Sequence, residues 1–315
     1  MKHKNRRLFL FAGYDKDGII DDTLLYYLDC LSNLGDIVLV MDCDVHDVSK
    51  LKKLKNLLYI ETSKHGEYDF GSYKRGYMWA HNKKILNNYD WVYFVNDSVY
   101  GPLWNLEPVL IDLESRGPDL TGMVNNCNKN TPNHIQSWFM GMSKKLVNTV
   151  AVYNFLQCIT KQDDKLNIVY KYEVGMSRCI LLNGFHMTAV YDQDDDIKNI
   201  VYLQPLEMLK NGIPFIKKLA FPCIKKIRFV YPYTTQNFIQ MIIKQVERNG
   251  DNYFLSDILN NTELHAPYYS KHFRCTIFSF PVLTIYKKIQ QGSVDYKICL
   301  ADKLPVLKLS LKTKK

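Results

Sequence analysis

Three short polar residues, Asn96, Asp97 and Ser98, follow the run Trp91-Val92-Tyr93-Phe94-Val95 and precede Gly101-Pro102. The apolar run reads as a fully buried strand, so Asp97 leaves the core at a carboxyl end. A carboxylate there can hold Mg²⁺ or Mn²⁺, and such an ion can bridge a diphosphate and neutralise a leaving group. The same residue types also cap loop amides, and residue type alone fits both roles. Further upstream, Ala12, Gly13 and Tyr14 end another apolar run, where backbone can approach a flat ligand closely. Asp42 and Asp44 end a third, at about the distance where an acid often meets a ribose hydroxyl. Gly and Asp are equally the usual residues of turns. In "EYDFGSYKRG", Asp69 opens a helix whose first turns carry Gly71, Ser72, Lys74 and Arg75. Free amides at such an N-terminus, with two cations a turn later, suit a phosphate; a capped amphipathic helix with a basic outer face fits the segment too. In "HIQSWFMGMS", His134, Gln136 and Trp138 alternate and would share one face of a strand. Such a face suits sugar hydroxyls and ring faces, while a lone strand histidine is more often structural.

The elements that must position these groups follow from apolar periodicity. "RLFLFAGYD", "DIVLVMDCD", "LLYIETS", residues 91–95, "DLTGMV", "HIQSWFMGMS" and "HMTAVYD" read as strands. Helices are expected after Asp21-Asp22-Thr23 (Leu24, Leu28 and Leu31 on one face), from Asp69, over 104–115, from Val147 to Cys158, and from Glu173 to Asn183. Strands alternating with helices indicate an α/β fold with a mainly parallel sheet covered on both faces, and ligands then sit outside the carboxyl ends of the strands. No G-x-G-x-x-G follows the first strand and no P-loop sequence occurs, which disfavours dinucleotide enzymes and P-loop ATPases. Beyond about residue 200 the pattern loosens around Pro205, Pro214, Pro222 and Pro232. Residues 201–315 are therefore expected to be a basic, mostly helical extension of a first domain over 1–200.

The 315 residues carry a formal charge of +9, 47% hydrophobic residues and 22 Tyr, an ordinary globular composition. Eight cysteines without C-x-x-C spacing are expected to be reduced thiols of a cytoplasmic protein. "LFLFAGYD" turns polar too soon for a signal peptide, and no apolar run approaches the roughly 18 residues of a spanning helix. From Lys210 to Arg228 six Lys or Arg and no acid interleave with Ile213, Phe215, Ile216, Leu219, Phe221 and Ile224, and "KLPVLKLSLKTKK" repeats the mixture. Such segments suit a peripheral contact with anionic membrane; a solvated Lys-rich face is the plain alternative. No recognition motif supports nucleic acid as a partner.

In order along the chain, "FAGYDKDGIIDDTLLYYLDCL", "YDFGSYKRG", "WVYFVNDSVYGPL", "HIQSWFMGMSKK", "YEVGMSRCILLNGFHMTAVY" and "NGIPFIKK" resemble the RgpF-type rhamnan synthesis proteins, bacterial glycosyltransferases of cell-surface polysaccharide assembly. The resemblance runs from about residue 8 to 218. It implies a GT-A-like nucleotide-sugar-binding fold, a deoxyhexose donor such as dTDP-L-rhamnose, a glycan or lipid-linked glycan acceptor, and work at the inner face of the plasma membrane. It also gives Glu173 a role, as the carboxylate at a helix start that accepts the acceptor's hydroxyl proton in an inverting transfer. The chain has Asn96-Asp97-Ser98 where the broader fold prefers Asp-x-Asp, and a single Glu173 where many relatives of the fold carry Glu-Asp. A non-catalytic nucleotide-sugar-fold module that binds membrane or partner enzymes through its basic carboxyl half is the alternative.

Overall fold

The computed structural model describes residues 5–127, 131–193, 200–220, 241–242 and 244, and four strands between 270 and 312. The chain divides into two compact units, Met1–Tyr253 and Phe254–Lys315.

In the first unit, β1 (Arg7–Gly13), β2 (Asp36–Met41), β3 (Leu57–Thr62) and β4 (Trp91–Asn96) pair in parallel, in the order β3-β2-β1-β4. Beyond β4 lie β8 (Phe139–Ser143) and β6 (Leu120–Asn126), with β9 (Met187–Gln193) parallel to β6. Because β8 runs antiparallel to both β4 and β6, the sheet is mixed, with six of its eight strands running one way and β7 and β8 the other. The chain leaves β6 and doubles back through β7 (His134–Ile135) along the same edge, so it returns reversed.

Burial on both faces follows from the near-continuous apolar runs. Along β1, Leu8, Leu10 and Ala12 enter one core with Phe70, Tyr73 and Tyr77 of α2 (Tyr68–Asn82), whereas Phe9 and Phe11 enter the other with Leu24, Leu28 and Leu31 of α1 (Asp22–Ser32). Asp21 caps α1 as expected, accepting from the Leu24 amide at 2.7 Å. The expected helix 104–115 is α3 (Glu107–Ser115), and the one beginning at Val147 is two pieces, α4 (Lys144–Val147) and α5 (Val150–Gln157), each capped by its own hydroxyl, Ser143 and Thr149.

Residues past 200 do not start a separate appendage. The helices α8 (Ile200–Leu203) and α9 (Pro205–Lys210) lead to β10 (Ile216–Lys217), which pairs antiparallel with β5 (Val99–Tyr100). Met208, Ile213 and Phe215 join the core around Phe9, so the division between units falls after Tyr253, not at 200. Ile213, Phe215 and Ile216 are thereby taken from the surface that was expected to face a membrane; Phe221 to Arg228 lie outside the described residues. No described helix is long and apolar enough to cross a membrane.

In the second unit, β11 (Ser270–Ile277), β12 (Phe280–Gln290), β13 (Ser293–Leu300) and β14 (Leu304–Lys312) form an antiparallel meander. The expected mostly helical extension is therefore wrong over this stretch. Leu307-Lys308-Leu309-Ser310-Leu311-Lys312 alternates with period two, the signature of a strand.

At the amino end of β1 a charge is buried. The Arg7 guanidinium, with the residue only 2% exposed, donates to Glu114 of α3 at 2.6 and 2.8 Å, and Tyr93 and Asn5 donate to the same carboxylate at 2.9 Å each. Removing one partner strands the other in the core. Glu114→Ala is expected to lower the unfolding free energy by about 3–5 kcal/mol in urea titrations; a loss below ~1 kcal/mol would show that water reaches Arg7.

Candidate functional site

The polar cluster forms at the carboxyl ends of β1 and β4, where open α/β sheets receive ligands. Asp97 hydrogen-bonds through its amide to the Ala12 carbonyl (3.2 Å) and accepts from the Tyr14 amide at 3.0 Å, so its carboxylate staples the loop after β1. Asp42, at the end of β2, accepts from the amides of His65, Gly66 and Tyr68 at 2.6–3.2 Å. Those bonds hold a loop containing two left-handed residues, Gly66 (φ +70°) and Tyr68 (φ +57°). A non-glycine residue there is strained, and the buried carboxylate offsets the cost. Asp42 thus shapes the entry to α2, and the ribose role expected for it is not what its hydrogen bonds serve.

The centre of the cluster is a directed chain of donors. The Lys217 ammonium donates to Ser98 Oγ at 2.7 Å, Ser98 Oγ donates to Asn96 Oδ1, and Asn96 Nδ2 donates to Asp69 Oδ2 at 3.1 Å. Lys217 also lies over the Trp138 ring, 4.9 Å from its centroid. Glu173 stands nearby, accepting from the amide and hydroxyl of Ser137 at 2.7 and 2.6 Å, with His134 Nε2 3.6 Å from its other oxygen. His134 Nδ1 is 2.6 Å from the Pro132 carbonyl and carries its proton toward it.

A break in the sheet makes this convergence. Asn125 faces Ile135 but Gly122 faces Met140, so five residue steps on the returning strand oppose three on β6. The bulge corrects the expected single strand over "HIQSWFMGMS"; Gln136 and Trp138 stay on one side, joined through their side chains, while His134 is engaged elsewhere. His134 turns to Glu173, Trp138 to Phe215 and Lys217, and Gln136 Oε1 accepts from Trp138 Nε1 at 2.9 Å. Bulges re-aim side chains in this way. Glu173 is likewise not at a helix start. It lies in a π-helical turn, Val169–Val174, between α6 (Lys165–Ile168) and α7 (Gly175–Leu182). Its ionisation therefore owes nothing to a helix N-terminus. Burial pushes the Glu173 carboxyl up, but His134 and the two Ser137 donors outweigh it and hold the group below the ordinary range. Asp69 goes the other way, raised by burial and by the charge of Glu173 against the opposing pull of Lys217. Burial likewise raises Asp97, countered by Lys218 and the Tyr14 amide.

Lys217 is the residue that sequence reasoning missed. It sits in "NGIPFIKK", counted only as part of a basic segment, yet it is 8% exposed and burial lowers its amine to about 7 despite the charges of Glu173 and Asp69. The pattern that could have exposed it is a lysine directly following Ile213-Pro214-Phe215-Ile216, an apolar run too long for a solvated face.

The phosphate cradle expected at α2 is not assembled. Ser72 is buried against His65 Nε2 (3.0 Å), Lys74 donates to the Ile159 carbonyl (2.7 Å), and Arg75 is bound to Glu67 (2.7 Å) and the Gly71 carbonyl (3.0 Å). A Cβ on Gly71 would lie 2.3 Å from Glu67 Cβ, so packing accounts for that glycine. Gly13 packs on Met41. Tyr14, 59% exposed, does offer an open ring, as does Tyr68 at 48%. The expected metal fits poorly. Among the described residues no three His, Cys, Asp or Glu side chains converge, and Asp97 is turned to a backbone amide, whereas Mg²⁺ asks for octahedral oxygen ligands.

The molecule is thus an open-sheet α/β protein with a carboxylate-and-lysine cluster at the carboxyl rim. Rhamnan synthesis protein F matches residues 37–300, and the chain belongs to that family. An uncharacterized protein, y4gN, of Sinorhizobium fredii (strain NBRC 101917 / NGR234) is 29% identical over 191 residues, covering 59% of this chain; the match spans about half, 48%, of that protein's length. Among solved structures, a glycosyltransferase involved in the glycosylation of the major capsid of PBCV-1 is similar over 78% of this chain and 100% of that one, at 10% identity and a TM-score of 0.35.

The His134–Glu173 pair has a definite pH signature. Burial lowers the imidazole, but Glu173 and the Pro132 carbonyl outweigh it and place it above 6.5. Because His134 is raised and Glu173 lowered, the pair's stabilisation is complete between about pH 4.5 and 6.5, lost above as His134 deprotonates and below as Glu173 protonates. In Glu173→Gln, NMR titration is expected to show the His134 imidazole fallen below 6.5, since burial then acts with little opposition. An unchanged titration would separate the two side chains.

Proposed function

We propose that this chain is a glycosyltransferase of surface-polysaccharide assembly, taking a deoxyhexose such as L-rhamnose from a nucleoside-diphosphate donor such as dTDP-rhamnose to a growing glycan or lipid-linked acceptor. Family membership supports the setting. The observation that carries the chemistry is the rim cluster, in which two carboxylates are driven in opposite directions around one buried amine.

Opposed shifts of this kind divide acid–base labour. Asp69, raised, is the better proton acceptor near neutral pH, and its bond from Asn96 fixes its orientation. It takes the acceptor's hydroxyl proton while the acceptor oxygen bonds to the anomeric carbon. The bond to the donor's phosphate oxygen breaks, and its electron pair leaves with the nucleoside diphosphate. Glu173 is held as an anion by Ser137 and His134, which moves the base role from Glu173 to Asp69 and leaves Glu173 to stabilise positive charge beside it. Tyr14 and Tyr68 supply exposed ring faces for the base or sugar.

Nucleotide release from a panel of sugar nucleotides, with and without glycan acceptor, tests this reading. Asp69→Asn is expected to lower kcat by about 10²–10⁴-fold with donor affinity retained, and Glu173→Gln to cost less. Full turnover in Asp69→Asn would place the base elsewhere. No nucleotide release by the wild type from any donor would leave a non-catalytic module.

A further inference from the structure

We propose that Lys217 is the group that receives the donor's diphosphate, its amine taking up a proton as the diphosphate binds. This rests on the glycosyltransferase reading above and adds the means by which the leaving group's charge is met.

The fold delivers this one side chain to the rim by several independent ties. Lys217 pairs with Val99 across the β10–β5 ladder, and the Lys218 amide donates to the Ser98 carbonyl at 2.9 Å. Just upstream, the Pro214 carbonyl accepts from the Leu103 amide at 2.8 Å. It approaches so closely that a Cβ on Gly101 (φ +133°) would lie 2.5 Å from it. That glycine is required, and through it the loop after β4 and the strand bearing Lys217 are locked together.

What surrounds the amine is acidic and aromatic. Asp69 comes from α2, Asp97 from the end of β4, and Glu173 from the π-helical turn; Lys165 of α6 opposes them. The Trp138 ring covers one side and Ser98 Oγ takes one hydrogen bond. An ammonium has three donors. Burying an amine this deeply is costly, and an uncharged side chain of the same length, such as Met, would fill the space at lower cost. The position favours function over stability.

Burial leaves the amine at about 7, so near neutral pH it is divided between free base and ammonium. A diphosphate brings further negative charge into the same low-dielectric rim and favours the ammonium. When the bond to the sugar breaks, charge grows on the leaving phosphate and a fixed cation stabilises it more than the bound donor. The Lys217 proton stays on nitrogen as the bond between the anomeric carbon and the phosphate oxygen breaks; the acceptor's hydroxyl proton goes to Asp69, as above.

The test is titration calorimetry of uridine diphosphate and thymidine diphosphate, beside uridine and thymidine, in EDTA at pH 7.5. Two buffers of different ionisation enthalpy report proton uptake. The wild type is expected to bind the diphosphates more tightly than the nucleosides and to take up a fraction of a proton with the diphosphates alone. Lys217→Met is expected to lose that uptake and to weaken diphosphate binding by about 10- to 100-fold, with nucleoside binding kept and a melting temperature no lower than the wild type's. Lys217→Arg, always charged, should restore affinity without uptake. If Lys217→Met keeps both the diphosphate preference and the uptake, Lys217 is not the receiving group, though the donor site stands. If the wild type binds no nucleoside diphosphate at all, the donor site falls and this proposal with it.

Discussion

Taking a charged side chain out of water costs several kcal/mol per ion unless geometry and hydrogen bonds compensate. The first unit does so at both ends of β1, in contrasting ways. At the amino end, Glu114 takes four hydrogen bonds from Arg7, Tyr93 and Asn5, and the pair is closed between sheet and helix. At the carboxyl end, Lys217 has one hydrogen bond to Ser98 and an aromatic face, with three carboxylates in electrostatic reach but not in contact geometry. Four hydrogen bonds fix the first network, although Arg7 Nη1 has no partner among the described residues, whereas the Lys217 ammonium has donor capacity beyond its one bond.

Local signals made much of the sheet legible. Continuous apolar runs named β1, β2, β4 and β6, and the Asp21 cap and Leu24-Leu28-Leu31 stripe named α1, because those signals act within a few residues. The gathering of Asn96, Asp97 and Asp69 at one rim also followed from the rule that strands of this class end together. The two-residue bulge at Gln136 to Trp138 was not legible, since nothing in "HIQSWF" distinguishes an alternating strand from one interrupted where β6 pairs with two segments. Glu173 was found for an inapplicable reason. The family resemblance put it at a helix start, whereas the turns before it continue the helix unbroken. Lys217 was invisible because a charge census counts lysines without asking which of them must enter the core beside Phe215 and Ile216.

The candidate phosphate site at α2 shows how residue type can mislead. Ser72, Lys74 and Arg75 are the right groups in the right turn, yet each has an internal partner, and the protein's own Asp42 gathers the amides at 65, 66 and 68. The helix is fixed by these bonds, which suits the base role proposed for Asp69, because a proton acceptor is useful only if its oxygen is held in register with its target. The expected ligands of the helix start are thus the scaffold of the residue beside them.

The two raised carboxyl groups and the depressed amine form one coupled system, and a bound diphosphate would act on all of them in the same direction. Added negative charge makes the Lys217 ammonium easier to keep and the Asp69 carboxylate harder to keep, so it sharpens both the cation and the base. Glu173 is held against the same push by two hydrogen bonds from Ser137 and by the neighbouring His134. The bulge that aims Ser137 at Glu173 also lays Trp138 against Lys217. A single break in strand pairing therefore supplies both the donors that hold Glu173 as an anion and the ring that covers Lys217.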